Sequence, residues 1–469
     1  MLFSITMLPP VVVSFFYDDG ARASFILAFF VTLSTGLTCW IPVHRSRREL
    51  RLRDGFLVVV LFWTVLGLFG ALPLVLYEDL GMSFTDAAFE SISGLTTTGA
   101  TVITGLDHLP HSILYYRQQL QWLGGMGIIV LAVAILPMLG IGGMQLYRAE
   151  TPGPMKDSKL TPRITETAKA LWYIYLGLTV VCGLAYWLAG MSAFDALSHS
   201  FSTIAIGGFS THDASIGFFN SPLIESITVI FMLLAGMNFA LHFVSWRSFS
   251  LMPYIQDSEA RFYLGLLFII SIFTSVYLYF SDITSGIGEA ILLGVFQTVS
   301  IGTTTGYTTT GYASWPGLLV VLLLFISFIG GCAGSTGGGM KVIRFLLLLK
   351  QGLREITRLV HPNAQIPVKI GGKAMSDRVI NSVWGFFAVY VAMFVIIMLI
   401  LMATGMDQVT AFSAVAACMN NMGPGLGDVA GHYGNVTDVG KWVLCFAMLL
   451  GRLEIFTLLV LLTPTFWRK

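Results

Sequence analysis

The sequence predicts an all-α membrane protein made of four repeated units, each a span, a short half-crossing helix and a second span. Two observations carry that prediction: apolar runs of membrane-spanning length along the whole chain, and four copies of a glycine- and threonine-rich ribbon between them. Of 469 residues, 55% are hydrophobic and only 11% are charged, which is more apolar surface than a soluble core can bury. A helix crosses the hydrocarbon core with about 20 residues. Runs of that order lie at 3–17, 24–43, 56–77, 118–141, 171–190, 221–244, 262–281, 313–349, 382–404 and 441–463, the first of them short and the eighth interrupted. The first has no basic residue before it and no small-residue cleavage site after it, so it reads as a span rather than a signal peptide. Cys39, Cys182, Cys332, Cys418 and Cys445 show neither metal spacing nor a pairing pattern and read as small buried hydrophobes.

Charge is unevenly placed although the formal net charge is only +1. Bases cluster at Arg45, Arg47, Arg48, Arg51 and Arg53; at Arg148, Lys156, Lys159, Arg163 and Lys169; at Arg247 and Arg261; at Lys350, Arg354, Arg358, Lys369, Lys373 and Arg378; and at Arg468 and Lys469. Two crossings separate successive clusters, so all five fall on one side, which the positive-inside rule makes cytoplasmic together with both termini. The opposite loops, 78–116, 191–222, 282–312 and 405–441, hold twelve acids (Glu90 among them) against one base, Lys441. An acidic vestibule of this kind concentrates cations and repels anions.

The repeats emerge when those loops are aligned. SISGLTTTGAT contains Gly99, SFSTIAIGGFS Gly208, TVSIGTTTGYT Gly306 and AACMNNMGPG Gly423, so the glycines stand 109, 98 and 117 residues apart. In the second loop either Gly207 or Gly208 suits the shared place, and the fourth loop fits least well. Before each ribbon lies a run such as TDAAFESISGL (85–95), too short to cross, with apolar residues at helical spacing. Such a run enters the membrane and stops partway, and the ribbon returns without helical hydrogen bonds. Irregular backbone at that depth persists only where protein buries it or water lines it.

Four such loops on a common axis form a ring of backbone carbonyls, the chemistry that replaces the hydration shell of a cation. Glycine allows the dihedrals that turn the carbonyls inward, and threonine hydroxyls add oxygen ligands at the inner end. The expected filter residues are Thr97, Thr98 and Gly99; Ile206, Gly207 and Gly208; Thr304, Thr305 and Gly306; and Asn421, Met422 and Gly423. TTGYT (304–308) resembles the TVGYG loop of potassium channels, whereas TTGAT (97–101) and NMGPG (421–425) keep only its skeleton. Potassium is then the expected cargo, held at Thr98, Gly99, Gly207, Thr305, Gly306, Met422 and Gly423.

Two further features concern control of passage. The span 313–349 is interrupted by Gly330, Gly331, Gly334, Ser335, Thr336, Gly337, Gly338 and Gly339, and each of its six glycines costs a helix roughly 1 kcal/mol relative to alanine. The helix should open there, just below the third ribbon, as a polar loop able to obstruct the passage and move aside. Close helix packing through small residues is the alternative. A phosphate-binding loop is excluded because Met340 separates Gly339 from Lys341, and a hydrolase elbow because Ala333 stands two before Ser335. Arg452 lies deep in the last span, where a charge must face the bundle interior or water. It is expected below the filter, within reach of carbonyls of the glycine loop; a salt bridge to another acid is the alternative. Lys341 and Arg344 are expected to snorkel to the inner surface, and His199 to be a capped core residue.

AIGGFSTHD (205–213), GGCAGSTGGGMK (330–341), CMNNMGPGLGD (418–428) and LLGRLEIFTLLVLL (449–462) make the chain resemble the Trk/Ktr/HKT superfamily of potassium transporters, and within it the TrkH family. The resemblance covers essentially the whole chain. It implies four repeats, pseudo-symmetric around one pore, plus two N-terminal transmembrane helices, and it implies that the loop 330–339 acts with Arg452 as an intramembrane gate. It further implies a homodimer in the bacterial inner membrane that assembles with cytosolic, nucleotide-binding TrkA-type subunits. Basic segments 148–169 and 350–378 are candidates for docking that partner or the membrane surface. The expected organisation is an N-terminal two-span domain (1–54) followed by pore repeats 55–150, 151–255, 256–360 and 361–469. No nucleophile triad, metal cluster or nucleotide loop stands out, so no enzymatic activity, no cofactor beyond the transported ion and no nucleic-acid partner is expected. A sodium- or proton-coupled symporter on the same scaffold is the near alternative, and an intramembrane enzyme or receptor the distant one.

Overall fold

The computed structural model describes residues 1–45, 52–130 and 164–468; Arg47, Arg48, Arg51, Arg148, Lys156, Lys159, Arg163 and Lys469 lie outside them. Helices α1 (Leu8–Tyr17) and α2 (Arg22–Trp40) form an N-terminal hairpin turned by Asp18 and Gly20, both at positive φ. Hydrogen bonds tie it to the first repeat: Ser112 N–H donates to Asp19 Oδ2 at 2.8 Å, Gln119 Nε2 to the Thr6 carbonyl at 3.0 Å, and Ser24 Oγ to the Leu76 carbonyl at 3.2 Å. Arg22–Trp40 has spanning length and hydropathy, whereas Leu2–Tyr17, expected as a span, is a shorter apolar helix.

The four repeats then follow in order. Repeat 1 comprises α3 (Leu52–Gly70), α4 (Phe84–Leu95) and α5 (His111–Val130). Repeat 2 comprises α6 (Ile164–Leu188), α7 (Ala193–Ala205), α8 (Pro222–Ala235) and α9 (Phe239–Ser248). Repeat 3 comprises α10 (Ser258–Phe280), α11 (Ile287–Gly302), α12 (Gly317–Ile329) and α13 (Val342–Val360). A two-residue hairpin, β1 (Lys369–Ile370) and β2 (Lys373–Ala374), pairs Lys369 with Ala374 and turns on Gly371 and Gly372. Repeat 4 comprises α14 (Asp377–Ala403), α15 (Gln408–Met419), α16 (Asp438–Arg452) and α17 (Phe456–Leu459). Apart from that hairpin the described fold is helical, and five helices are long and apolar enough to cross a membrane, seven if each of two bent pairs counts as one.

The half-crossing helices α4, α7, α11 and α15 are 12 to 16 residues long and are buried mainly along their C-terminal halves. On α15 every residue from Ala414 to Met419 is buried, and those side chains are small enough to admit close neighbours. Backbones touch where glycine allows it: a Cβ at Gly124 on α5 would lie 1.9 Å from the Leu95 carbonyl ending α4, and one at Gly451 on α16 would lie 2.1 Å from the Met419 carbonyl ending α15.

Two spans expected to be continuous are broken. The run 221–244 bends by 96° between α8 and α9, because Gly236 ends the first helix and Asn238 caps the next by accepting the Ala240 N–H at 2.8 Å. The run 441–463 bends by 111° directly after Arg452, where Glu454 and Ile455 both take positive φ. The break in 313–349 falls at 330–341, as its glycines predict, and α13 beyond it is buried over its first turns at Val342, Ile343, Arg344, Leu346 and Leu347. Of the cysteines, four are buried and Cys39 is exposed on α2.

Candidate functional site

Three of the four half-crossing helices, α4, α7 and α15, begin with a side-chain-capped turn, whereas α11 starts after Gly286 without one. Ser83 Oγ accepts the Asp86 N–H at 3.1 Å and donates to the Asp86 carboxylate at 2.8 Å; Ser192 and Asp195 repeat the pair at 3.0 and 2.7 Å. Asp407 caps α15 through the Val409 and Thr410 amides. The recurrent aspartates are therefore cap residues as well as outer-loop charges.

The helices end in the same motif four times. The amides of Thr98, Gly207, Thr305 and Met422 each reach back five residues, to the carbonyls of Ser93, Ser202, Ser300 and Ala417, at 2.8–2.9 Å. The residue before each of them, Thr97, Ile206, Thr304 or Asn421, sits in the left-handed region with φ between 50° and 69°. This is a Schellman-type stop made without glycine, and for β-branched threonine and isoleucine that conformation is strained. Two residues on, Gly99, Gly208, Gly306 and Gly423 return to positive φ of 79–95°. The repeat thus places Gly208, not Gly207, beside the other three glycines, and it brings the poorly matching fourth loop into register.

The four ribbons close into a ring. A Cβ on Gly99 would lie 2.2 Å from the Gly207 carbonyl, on Gly208 2.0 Å from Thr305, on Gly306 2.0 Å from Met422, and on Gly423 2.7 Å from Thr98. First touches second, second touches third, third touches fourth, and fourth touches first. The C-terminal ends of four helices, each carrying about half an elementary negative charge, converge on the same ring. Behind it, Thr98 and Thr305 hydroxyls bond to those of Thr96 and Thr303 at 2.8 and 2.7 Å, and Asn421 Nδ2 donates to Thr98 Oγ1 at 3.0 Å. These two hydroxyls, expected as inner oxygen ligands, are engaged within the protein. Tyr433 Oη donates to the Gly423 carbonyl at 2.8 Å.

Above the ring opens a cavity of about 150 Å³ floored by Gly99, Gly208, Gly306 and Gly423. Its wall is less acidic than the sequence suggested. Glu90 is completely buried and paired with Arg117 at 2.8 Å, a base just beyond the counted loop, and Lys441 binds Asp86 at 2.6 Å. Only an acid deep in a half-crossing helix, which needs a buried counter-ion, could have signalled Arg117 from sequence. His199 is buried, with Nδ1 2.9 Å from the Asp195 carbonyl and Nε2 2.9 Å from Ser210 Oγ, a structural histidine as expected.

His212 clasps the first outer loop to the second. Its Nδ1 lies 2.5 Å from Asp107 Oδ1 and its Nε2 3.5 Å from Asp195 Oδ1, while Gly105 N–H donates to Asp213 Oδ1 at 3.0 Å. Burial disfavours the imidazolium, but the carboxylates of Asp195 and Asp107 outweigh it and raise the His212 pKa. A raised folded-state value means that the clasp contributes fully below the unfolded value of about 6.5 and is lost as pH rises through the folded one. The gap in melting temperature between the unmodified protein and His212→Gln is therefore expected to be widest near about pH 6 and to close toward about pH 9. A gap independent of pH contradicts this.

Below the ring lies the glycine loop, buried except at Gly334 and Gly339, which are half-buried. Its first half is pinned to repeats 2 and 3: Cys332 N–H donates to Gly236 O at 2.8 Å, Ala333 N–H to Glu259 Oε1 at 2.8 Å, and Gly334 O accepts from Phe239 N–H at 3.1 Å. The second half reaches the ring, with Gly338 N–H donating to Thr304 Oγ1 at 2.6 Å and Gly339 N–H to Asn420 O at 3.0 Å. Thr336 Oγ1 bonds to the Ile204 carbonyl at 2.9 Å, and Ser335 Oγ to that of Cys332 at 2.6 Å. Gly330 and Gly331 pack against the returning strand of the same loop. Arg452 is buried, and its Nη1 donates to the Thr336 carbonyl at 3.1 Å, while Nε and Nη2 have no hydrogen-bond partner among the described residues. Beside Gly337, Asn421 and Arg452 only about 40 Å³ of space remains, enough for a few waters.

Lys341 and Arg344 do not snorkel. Both are buried: Lys341 Nζ bonds to the Gly337 carbonyl, and Arg344 pairs with Glu454 at 2.6 Å and lies 4.3 Å over the Phe386 ring. Glu454 is available to Arg344 because the chain turns sharply at 454–455, which no sequence pattern announced.

Comparison with known proteins agrees with this architecture. The family model described as "TrkH: Cation transport protein" matches residues 21–469. The chain is 61% identical over 470 residues to the Trk system potassium uptake protein TrkH of Vibrio parahaemolyticus, covering all of this chain and 97% of that one. It is 57% identical to the protein of the same name from Escherichia coli K12, with the same coverage. The crystal structure of the potassium transporter TrkH from Vibrio parahaemolyticus superposes with a TM-score of 0.93 at 59% identity, covering all of this chain and 97% of the other. The relatives are named as potassium uptake proteins, in keeping with the expectation that the chain is no enzyme. On sequence and fold alike, the chain belongs to the TrkH family of cation transport proteins.

Proposed function

We propose that this protein carries potassium across the bacterial inner membrane, passing the dehydrated ion through the ring formed by Thr97–Gly99, Ile206–Gly208, Thr304–Gly306 and Asn421–Gly423. The observation that carries this reading is the cyclic contact of the four ribbons, in which each glycine faces the carbonyl before the next glycine. Carbonyls so placed substitute for water around a monovalent cation, and the helix ends behind them favour positive charge. The ligands are the carbonyls of Thr98, Gly207, Thr305 and Met422 with those of Gly99, Gly306 and Gly423. The Gly207 carbonyl oxygen also accepts a hydrogen bond from Gln121 Nε2 at 2.6 Å, which leaves its second lone pair for the ion.

The loop 330–339 is the gate, and the conformation described here is closed. Its plug half hydrogen-bonds to Thr304 and Asn420 directly under the ring, and Arg452 holds it there while placing a positive charge in the path of cations. The basic faces and both termini lie in the cytoplasm. There two copies of the chain assemble with nucleotide-binding partners, a reading supported by the relatives' designation as parts of a Trk system.

Flux through the purified protein in proteoliposomes, under separate potassium, rubidium and sodium gradients with and without a proton gradient, tests this. Passive potassium and rubidium flux exceeding sodium flux is expected. Uphill uptake driven by protons or sodium identifies a coupled symporter and overturns the channel-like reading.

A further inference from the structure

We propose that Arg117, with Glu90 as its counter-ion and Gln121 one turn further along α5, sets ion selectivity by fixing the spacing between the first and second ribbons. The proposal deepens the filter reading above and rests on it. Arg117 and Glu90 are each about 1% exposed, and a pair so far from water persists only when its hydrogen-bonding capacity is met. Beyond the bond between the pair itself, the remaining nitrogens of Arg117 and both oxygens of Glu90 find partners on the two ribbons. Arg117 Nε binds Glu90 Oε1 at 2.8 Å, Nη1 donates to the Ser210 carbonyl at 3.1 Å, Nη2 donates to Thr101 Oγ1 at 3.2 Å, and the guanidinium lies 4.2 Å over the Phe209 ring. Glu90 also accepts from Thr101 Oγ1 at 3.0 Å and from the Val102 N–H at 2.9 Å. The grips fall at Thr101 and Val102, just after Gly99, and at Phe209 and Ser210, just after Gly208.

Gln121 projects from the same face of α5 as Arg117, four residues on. Its Nε2 donates to the Gly207 carbonyl at 2.6 Å, and its Oε1 accepts the Phe209 N–H at 3.1 Å. One rigid helix face therefore holds the second ribbon at both ends of its glycine pair and ties it to the first. Among the described residues the ribbon-to-ribbon bonds at the other seams join neutral groups, among them Tyr433 N–H to Thr101 O at 2.8 Å, Gly217 N–H to Thr308 O at 3.2 Å, and Tyr312 Oη to Gly425 O at 3.4 Å, while the ion pair of Lys441 with Asp86 links repeats 4 and 1 at the start of α4. The planar, forked guanidinium is the stiffest of these struts, and lysine cannot reproduce its geometry.

Whether carbonyl rings discriminate by size or by ligand field, both depend on how closely the carbonyls can approach the ion. With the strut intact, the first and second ribbons cannot close around an ion smaller than potassium. With it removed, they can, and sodium passes. Arg117 does not repel cations at the mouth because Glu90 neutralises it, so its contribution is to geometry rather than to the field.

The test measures the potassium-to-sodium permeability ratio of the full-length protein in liposomes from bi-ionic reversal potentials, for Arg117→Lys, for Glu90→Gln/Arg117→Gln and for Gln121→Met, with folding followed by melting temperature. The ratio is expected to fall about tenfold in Arg117→Lys, which keeps the charge and loses the fork, and equally in the doubly neutral variant. A merely structural role would lower the amount of folded protein and leave the ratio alone. An unchanged ratio in folded Arg117→Lys overturns the proposal; should neither Arg117 variant fold, the ratio of Gln121→Met decides, with the same outcomes. Gly306→Ala separates the two readings: if it leaves flux and ratio untouched, the filter reading itself fails, whereas if it abolishes flux while Arg117→Lys keeps its ratio, only the strut fails.

Discussion

Gly306→Ala is expected to abolish potassium flux. The new Cβ would stand 2.0 Å from the Met422 carbonyl and 2.7 Å from Pro424, at a φ of 83° that already costs an alanine about 1–2 kcal/mol. Contact at 3 Å or more would require the ribbon or the carbonyl to retreat by roughly 1 Å, a misplacement that costs about 100-fold where function depends on fixed geometry. Rubidium uptake into proteoliposomes should fall by at least that factor while the melting temperature shows a folded protein. Gly311→Ala is the matched control, because no atom lies within 4 Å of a Cβ there and φ is −70°. Equal uptake by the two variants would mean that the ring is not the passage.

The opposite sign is expected at the glycine loop. A Cβ on Gly338 would lie 1.9 Å from the Asn420 carbonyl, so Gly338→Ala cannot seat the plug beneath Thr304, although the backbone there is not in the left-handed region. Arg452→Ala removes the hydrogen bond to the Thr336 carbonyl that holds the same segment. A bond to a charged group contributes about 1.5–3 kcal/mol, which shifts a closed–open equilibrium by about 10- to 100-fold. Both variants should raise rubidium flux through the protein alone by about tenfold or more, and Arg452→Lys should fall between. If neither changes the flux, the loop is packing and not a gate.

Much of this fold could be read from the sequence because the bilayer imposes coarse rules. Span length, the distribution of bases and the recurrence of a ribbon that is neither helix nor strand gave the class, the repeat and the interrupted third-repeat span. What escaped was local or relational. The 96° bend at Gly236–Asn238 lies inside an apolar run whose composition hides it, and only the Asn238 cap betrays it. The 111° bend after Arg452 depends on positive φ at Glu454 and Ile455, residue types that give no such warning. Lys341 and Arg344 read as snorkelling bases because their partners, a loop carbonyl and Glu454, are set by tertiary packing. Glu90 was counted as surface charge for the same reason, its counter-ion Arg117 standing one residue past the loop boundary. That Gly208 and not Gly207 shares the positive φ of Gly99, Gly306 and Gly423 is a matter of dihedral angles, which a doubled glycine does not disclose.

The central claim is that four ribbons share one dehydrated cation, and rubidium anomalous scattering from crystals of this protein tests it most directly. The account predicts an anomalous peak on the ring axis, coordinated by the carbonyls of Thr98, Gly207, Thr305 and Met422, that disappears in Gly306→Ala. Peaks confined to the outer cavity or to the basic face, with none between the four glycines, would contradict it.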